Sequence, residues 1–94
     1  MNTTKVEGKR DTHKVLLYTL TTCAWCKLTK EFLKENNVSY EYLDLDASSK
    51  EDQVAAVIDL KRRNAPVAFP TIIIDNTKLI TGFKEEELSE ALEL

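Results

Sequence analysis

The run Val15-Leu16-Leu17-Tyr18-Thr19-Leu20 constrains the fold more than any other stretch of the chain. It is apolar on consecutive residues and bounded by polar ones, the pattern of a strand buried on both faces rather than one that alternates in and out. Such strands belong to α/β arrangements of two or three layers. The rest of the sequence supplies the partners. A helical pattern follows Cys23-Ala24-Trp25-Cys26, with Leu28, Phe32 and Leu33 on one stripe, Thr22 as N-cap, and Asn36-Asn37 offering a left-handed exit. Ser39 to Leu45 alternates and carries aromatic residues, as a strand does.

Ser48 with Glu51 three residues later is a capping box. It opens a helix whose apolar stripe is expected at Val54, Val57 and Ile58 and whose end is marked by Lys61-Arg62-Arg63. Pro66-Val67-Ala68-Phe69-Pro70 cannot be helical, because its prolines remove donors and restrict the residues before them. Thr71-Ile72-Ile73-Ile74 is a β-branched strand that returns through Asp75-Asn76-Thr77 as Lys78 to Thr81, a hairpin. Gly82 breaks that strand, and a last helix begins with three glutamates, Glu85 to Glu87, and carries Leu88, Ala91 and Leu92. The expected order is β-α-β-α-β-β-α, with four strands in a mixed sheet and three helices. Met1 to His13 lacks periodicity and includes Gly8, so residues 1–13 are expected as a flexible tail and residues 14–94 as the domain.

Composition narrows the function. Ninety-four residues make one domain, and 43% apolar with 31% charged residues is an ordinary globular balance. Thirteen basic against sixteen acidic residues leave a net charge of −3, which argues against a nucleic-acid surface. No apolar run is long enough to span a membrane, and the N-terminus lacks the apolar core of a secretory signal. Two cysteines are too few for a secreted disulfide scaffold, so a reducing, cytoplasmic location and a monomer are the simple expectations.

Chemistry concentrates at Cys23-x-x-Cys26, between the first buried strand and its helix. Backbone amides at a helix start lack intrahelical partners and carry the positive end of the dipole. A thiolate at Cys23 gains from those donors far more than a neutral thiol does, and only the thiolate attacks a disulfide. Cys26 lies nearly one helical turn further on, placed to resolve a mixed disulfide on Cys23. Other readings remain open on the residues alone. Zinc needs four ligands, and the chain offers two cysteines and His13 without recruiting carboxylates or a second copy. An iron–sulfur cluster needs thiols from a dimer or from glutathione. A structural disulfide across so short a loop constrains little, and two inert buried thiols or a noncatalytic interaction domain complete the set.

The motif Thr22-Cys23-Ala24-Trp25-Cys26, the phrase Phe69-Pro70-Thr71 before a strand, and Ile80-Thr81-Gly82-Phe83-Lys84 before the last helix resemble the glutaredoxins on the thioredoxin fold, and within them the NrdH-redoxin branch. The likeness runs from Lys14 to Leu94. It implies a thiol–disulfide oxidoreductase without a tightly bound cofactor, with Cys23 as nucleophile and Cys26 as resolving thiol. Pro70 is then a cis-proline facing the motif, Phe69 pairs its backbone with substrate, and Gly82 and Phe83 match a substrate-side segment, with a turn glycine and a core aromatic as the other reading. Trp25 is expected as a platform for substrate contact, the alternative being a hydrophobic cap on the helix start. The implied partners are a disulfide-containing protein, such as a ribonucleotide reductase, and an upstream reductase or low-molecular-weight thiol.

Three departures bear on glutathione as co-substrate. Ala24-Trp25 replaces the usual Pro-Tyr or Pro-Phe. Leu20 stands where glutaredoxins commonly place a Lys or Arg for a glutathione carboxylate. Gly82 is single where a Gly-Gly pair is usual. Lys61, Arg62 or Arg63 are the candidates to replace the lost charge.

Overall fold

Burial on both faces is what the computed structural model, which describes all residues Met1–Leu94, gives the strand β2 (Val15–Thr19). Its side chains alternate between two apolar cores. Val15 and Leu17 join Leu33, Ile72, Ile74, Ile80, Leu88 and Leu92 on one side, while Tyr18 meets Leu43, Ala56, Leu60 and Ile73 on the other. The first core lies beneath α1 (Ala24–Glu35) and α3 (Glu85–Ala91), and the second beneath α2 (Lys50–Arg62). The molecule is therefore a three-layer α/β/α sandwich.

The other strands are β1 (Thr4–Val6), β3 (Tyr40–Asp44), β4 (Thr71–Ile74) and β5 (Lys78–Thr81). Their order in the sheet is β1-β3-β2-β4-β5. β2 and β3 are parallel, joined through α1, and the remaining pairs are antiparallel. The mixed thioredoxin-like sheet with three helices is as expected, but it has five strands rather than four. The fifth comes from the segment read as a tail. Thr4 pairs with Tyr42 and Val6 with Tyr40, and the connection beyond stays attached: Ser39 Oγ bridges both backbone groups of Gly8, and the Arg10 amide donates to the Asn37 carbonyl at 2.8 Å. Three residues on a sheet edge are too few to show a period of two, which is why the strand escaped notice. Gly8 is a requirement of this path, since a Cβ there would sit 2.4 Å from the Asn37 carbonyl oxygen.

Each large helix keeps part of its expected stripe, Leu33 and Phe32 in α1 and Val57 in α2, but turns other residues inward beside it. In α1 the inward residues are Cys26, Thr29 and Leu33, with Leu28 left 41% exposed. In α2 they are Asp52, Ala56 and Leu60, while Val54 and Ile58 are 50% and 44% exposed. The helix starts also shift by one. Cys23 rather than Thr22 caps α1, and Ser49 rather than Ser48 caps α2, accepting from the Asp52 amide at 3.1 Å. Asn37 takes the left-handed exit at φ 55°, and the β4–β5 turn runs through Asp75 and Asn76 at φ 53° and 61°, conformations that Asn and Asp tolerate better than most side chains.

Candidate active site

One end of the sheet gathers Cys23, Cys26, Phe69, Pro70, Gly82 and Phe83. β2 and β3 both finish there, at Thr19 and Asp44, which stand side by side, and β4 begins there opposite Tyr18. In open α/β sheets the carboxyl ends of parallel strands are where ligand sites form. From Thr19 the chain makes a tight turn in which the Cys23 amide donates to the Leu20 carbonyl at 3.2 Å. This turn is clamped from outside: Asp46, just past β3, accepts the Thr21 amide at 2.9 Å and the Thr21 hydroxyl as well. Those bonds hold the Asp46 carboxyl below its ordinary range, keeping it ionised.

The turn delivers Cys23 to the N-cap of α1. Its sulfur accepts from the Cys26 amide at 3.1 Å, so the donor that reaches it is an unpaired amide of the first helical turn. Cys23 is half-buried, whereas Cys26 is 1% exposed, and both are free thiols. Burial pushes the Cys26 thiol up to about 12, helped by its hydrogen bond to Cys23 and opposed by the backbone of Leu20 and by Lys30. Of the two sulfurs, the outer one accepts hydrogen bonds and the inner one keeps its proton, which is the division of labour that sequential thiol–disulfide exchange requires.

Pro70 follows a cis peptide bond after Phe69. The register that pairs Tyr18 with Thr71 and Thr71 with Thr81 puts Pro70 at the same sheet end, and its carbonyl accepts the Gly82 amide at 2.8 Å. Gly82 sits at φ 87°, a backbone state that side chains with a Cβ rarely adopt, although space for one is open. Phe83 stacks on Trp25 with ring centroids 6.3 Å apart and packs edge-on against Phe32 at 5.9 Å. Trp25 is nonetheless 60% exposed, an apolar surface beside Cys23. Phe69 is partly buried against the α2-side core.

His13 does not join the cysteines. It precedes β2 at the opposite end, about 16 Å away along a five-residue strand, where Asp75 and Glu93 engage both ring nitrogens. Arg63 is also at that end, bound to Asp59 at 3.1 Å and to Asn76 at 2.6 and 3.0 Å. It therefore does not replace the cation missing at Leu20, which packs against the α2-side core. Asp44, Asp46 and Lys30 are the site-end residues that sequence reasoning missed; each acts across the sheet, so no local pattern signals it.

Comparison with known proteins agrees with this geometry. The glutaredoxin family model matches residues 15–80. Glutaredoxin 1 of Rickettsia bellii is 34% identical over 65 residues, covering 68% of this chain and 64% of that relative. A glutaredoxin-like protein of Clostridium pasteurianum is 29% identical over 84% of this chain and 97% of its own length. Among solved structures, the glutaredoxin of Methanosarcina mazei superposes with a TM-score of 0.88 at 39% identity, covering 100% of this chain and 90% of that one. Methanoredoxin of Methanosarcina acetivorans gives 0.84 at 40% identity, covering 89% and 88%. The Escherichia coli NrdH-redoxin, 18% identical with a TM-score of 0.63, shares the fold. With a paired dithiol at the head of α1 and a family match over residues 15–80, the chain belongs to the glutaredoxins, a family of thiol–disulfide oxidoreductases.

Proposed function

We propose that the protein is a dithiol reductase of protein disulfides. The observation that carries this is the pairing of an accessible Cys23 sulfur, hydrogen-bonded by the Cys26 amide, with a buried, protonated Cys26. Cys23 thiolate attacks one sulfur of the target disulfide, forming a mixed disulfide and expelling the first target sulfur as thiolate. Cys26 then loses its proton and attacks Cys23, which forms the Cys23–Cys26 bridge and releases the second target sulfur. Two electrons pass to the target, and an upstream reductase or low-molecular-weight thiol returns them. Trp25, Phe69, Pro70, Gly82 and Phe83 frame the approach to Cys23 and are the substrate-contacting residues, the protein acting as a monomer in a reducing, cytoplasmic setting. A ribonucleotide reductase is the client to test first, on the likeness of the motifs to NrdH-redoxins.

Insulin reduction tests the mechanism. Cys23→Ser should abolish turnover, and Cys26→Ser should stop after one step with a trapped mixed disulfide, seen by mass spectrometry. Full insulin reduction by Cys23→Ser would overturn the assignment. Glutathione-dependent deglutathionylation is the second reading, supported by the family match. Leu20 and the single Gly82 weigh against it, and negligible turnover of a glutathione mixed disulfide with glutathione and its reductase would reject it.

A further inference from the structure

Beside the two cysteines, the face of the sheet under α1 carries a fixed charge that the exchange cycle has not used. Lys30 stands four residues after Cys26, so the two share one side of α1, where residues so spaced are neighbours. Its Nζ lies 3.1 Å from Asp44 Oδ1 and 3.9 Å from the centre of the Tyr42 ring. Tyr42 and Asp44 alternate on β3, so both present to the α1 side of the sheet. Asp44 is itself held by the Thr19 hydroxyl, which donates to Asp44 Oδ1 at 2.5 Å and lies 3.2 Å from the Leu43 carbonyl oxygen. Lys30 and Asp44 retain only 23% and 18% of their side-chain exposure. An ammonium gripped by a carboxylate and a ring face on a half-buried surface is less screened than one at the tip of an exposed side chain.

We infer that Lys30, held by Asp44 and Tyr42, is a positioning residue for the resolving step, its cation favouring the Cys26 thiolate at the moment Cys26 attacks the mixed disulfide. The inference rests on the proposed exchange mechanism and deepens it. The balance of groups around Cys26 explains the need. Burial holds its proton on, and so does the hydrogen bond to Cys23 in the reduced protein. Once Cys23 is tied into a mixed disulfide it carries no charge, and burial remains as the main obstacle to ionisation. The backbone of Leu20 and the charge of Lys30 are what oppose it.

The remaining charged groups nearby are otherwise engaged. Asp46 is occupied by Thr21, Lys84 lies 3.7 Å from Glu87 on α3, and Lys27 is exposed. The proton lost by Cys26 passes to water or to the departing target thiolate, the Cys26–Cys23 bond forms, and the bond from Cys23 to the target sulfur breaks.

Reaction of the reduced protein with 5,5′-dithiobis(2-nitrobenzoate) under stopped flow separates the steps. Cys23 attack releases one nitrothiolate, and resolution by Cys26 releases a second. In Lys30→Met the second phase should slow about tenfold at pH 7, the equivalent of one pKa unit, while the first phase stays within twofold of wild type. The deficit should shrink as pH rises and ionisation ceases to limit the step, a trend that a merely loosened structure would not give. Lys30→Arg should restore the rate, and Lys30→Gln serves if the methionine variant does not fold. A second phase unchanged in both neutral variants, or a deficit independent of pH, would overturn the role of Lys30. If Cys23→Ser, with Cys26 its one remaining thiol, still reacts at the rate of the wild-type first phase, the exchange mechanism itself fails instead.

Discussion

Asp46 shows how a single carboxylate can fix a reactive loop from a distance. It touches neither sulfur, yet it holds both the amide and the hydroxyl of Thr21, two residues ahead of Cys23. Because its folded-state pKa is depressed by those bonds, the stability it contributes is present above the unfolded value and is lost as pH falls through the lowered one. At neutral pH the clamp is closed. Asp46→Ala should leave far-ultraviolet circular dichroism unchanged and lower insulin-reducing turnover several-fold, because the turn that aims Cys23 at the helix start loses its outer anchor. Wild-type turnover in that variant would show that the backbone bond from Cys23 to Leu20 suffices. The cysteines differ by the same local physics: one sulfur stands partly exposed at the helix cap, the other lies inside, where desolvation keeps it protonated.

At the level of elements, α2 illustrates how apolar spacing can mislead. Val54, Val57 and Ile58 form a stripe at helical spacing, but the helix turns Ala56 and Leu60 into the core and leaves Val54 and Ile58 outside. Asp52 comes inward with them because its carboxylate accepts the Asn2 amide at 3.1 Å, so the N-terminal segment supplies the partner that a buried charge needs. This assignment separates two substitutions of similar chemistry. Leu60→Ala should cost about 2–5 kcal/mol through a cavity between α2 and the sheet. Ile58→Ser should stay within about 0.5 kcal/mol of wild type, as exposed positions do. Urea midpoints measure both, and equal losses would refute the orientation of the helix.

Across the whole molecule the sheet has two working ends. The carboxyl end of β2 and β3 carries the cysteine pair, and the opposite end ties the chain together. There His13 Nδ1 meets Asp75 at 2.6 Å and Nε2 meets Glu93 at 3.1 Å, joining the segment before β2, the β4–β5 turn and the C-terminus. Asp75 also accepts the Lys14 amide at 2.9 Å. Hydrogen bonds to Asp75 raise the His13 pKa, against some desolvation. A raised folded-state value means that the clasp stabilises fully below the unfolded pKa of about 6.5 and is lost as pH climbs through the folded one. Thermal midpoints should therefore fall between mildly acidic and mildly alkaline pH, and His13→Gln should remove most of that fall. A slope unchanged in the variant would place the titration elsewhere.

The amino-acid sequence alone determined the central layer and the chemistry. Consecutive apolar residues from Val15, a β-branched run from Thr71 and two cysteines at a strand-to-helix junction are local patterns, and local patterns carry β-structure, helix starts and thiol pairing. Tertiary structure decided what depends on a partner far along the chain. The pairing of Thr4–Val6 with β3 exists only because a sheet edge was available to it, and three residues have no period of their own. Which stripe of α2 faces inward depended on where Asn2 and the sheet lie. The grip of Asp46 on Thr21 and of Asp44 on Lys30 joins groups 25 and 14 residues apart, and such bonds follow from where the strands end, not from spacing within any one segment.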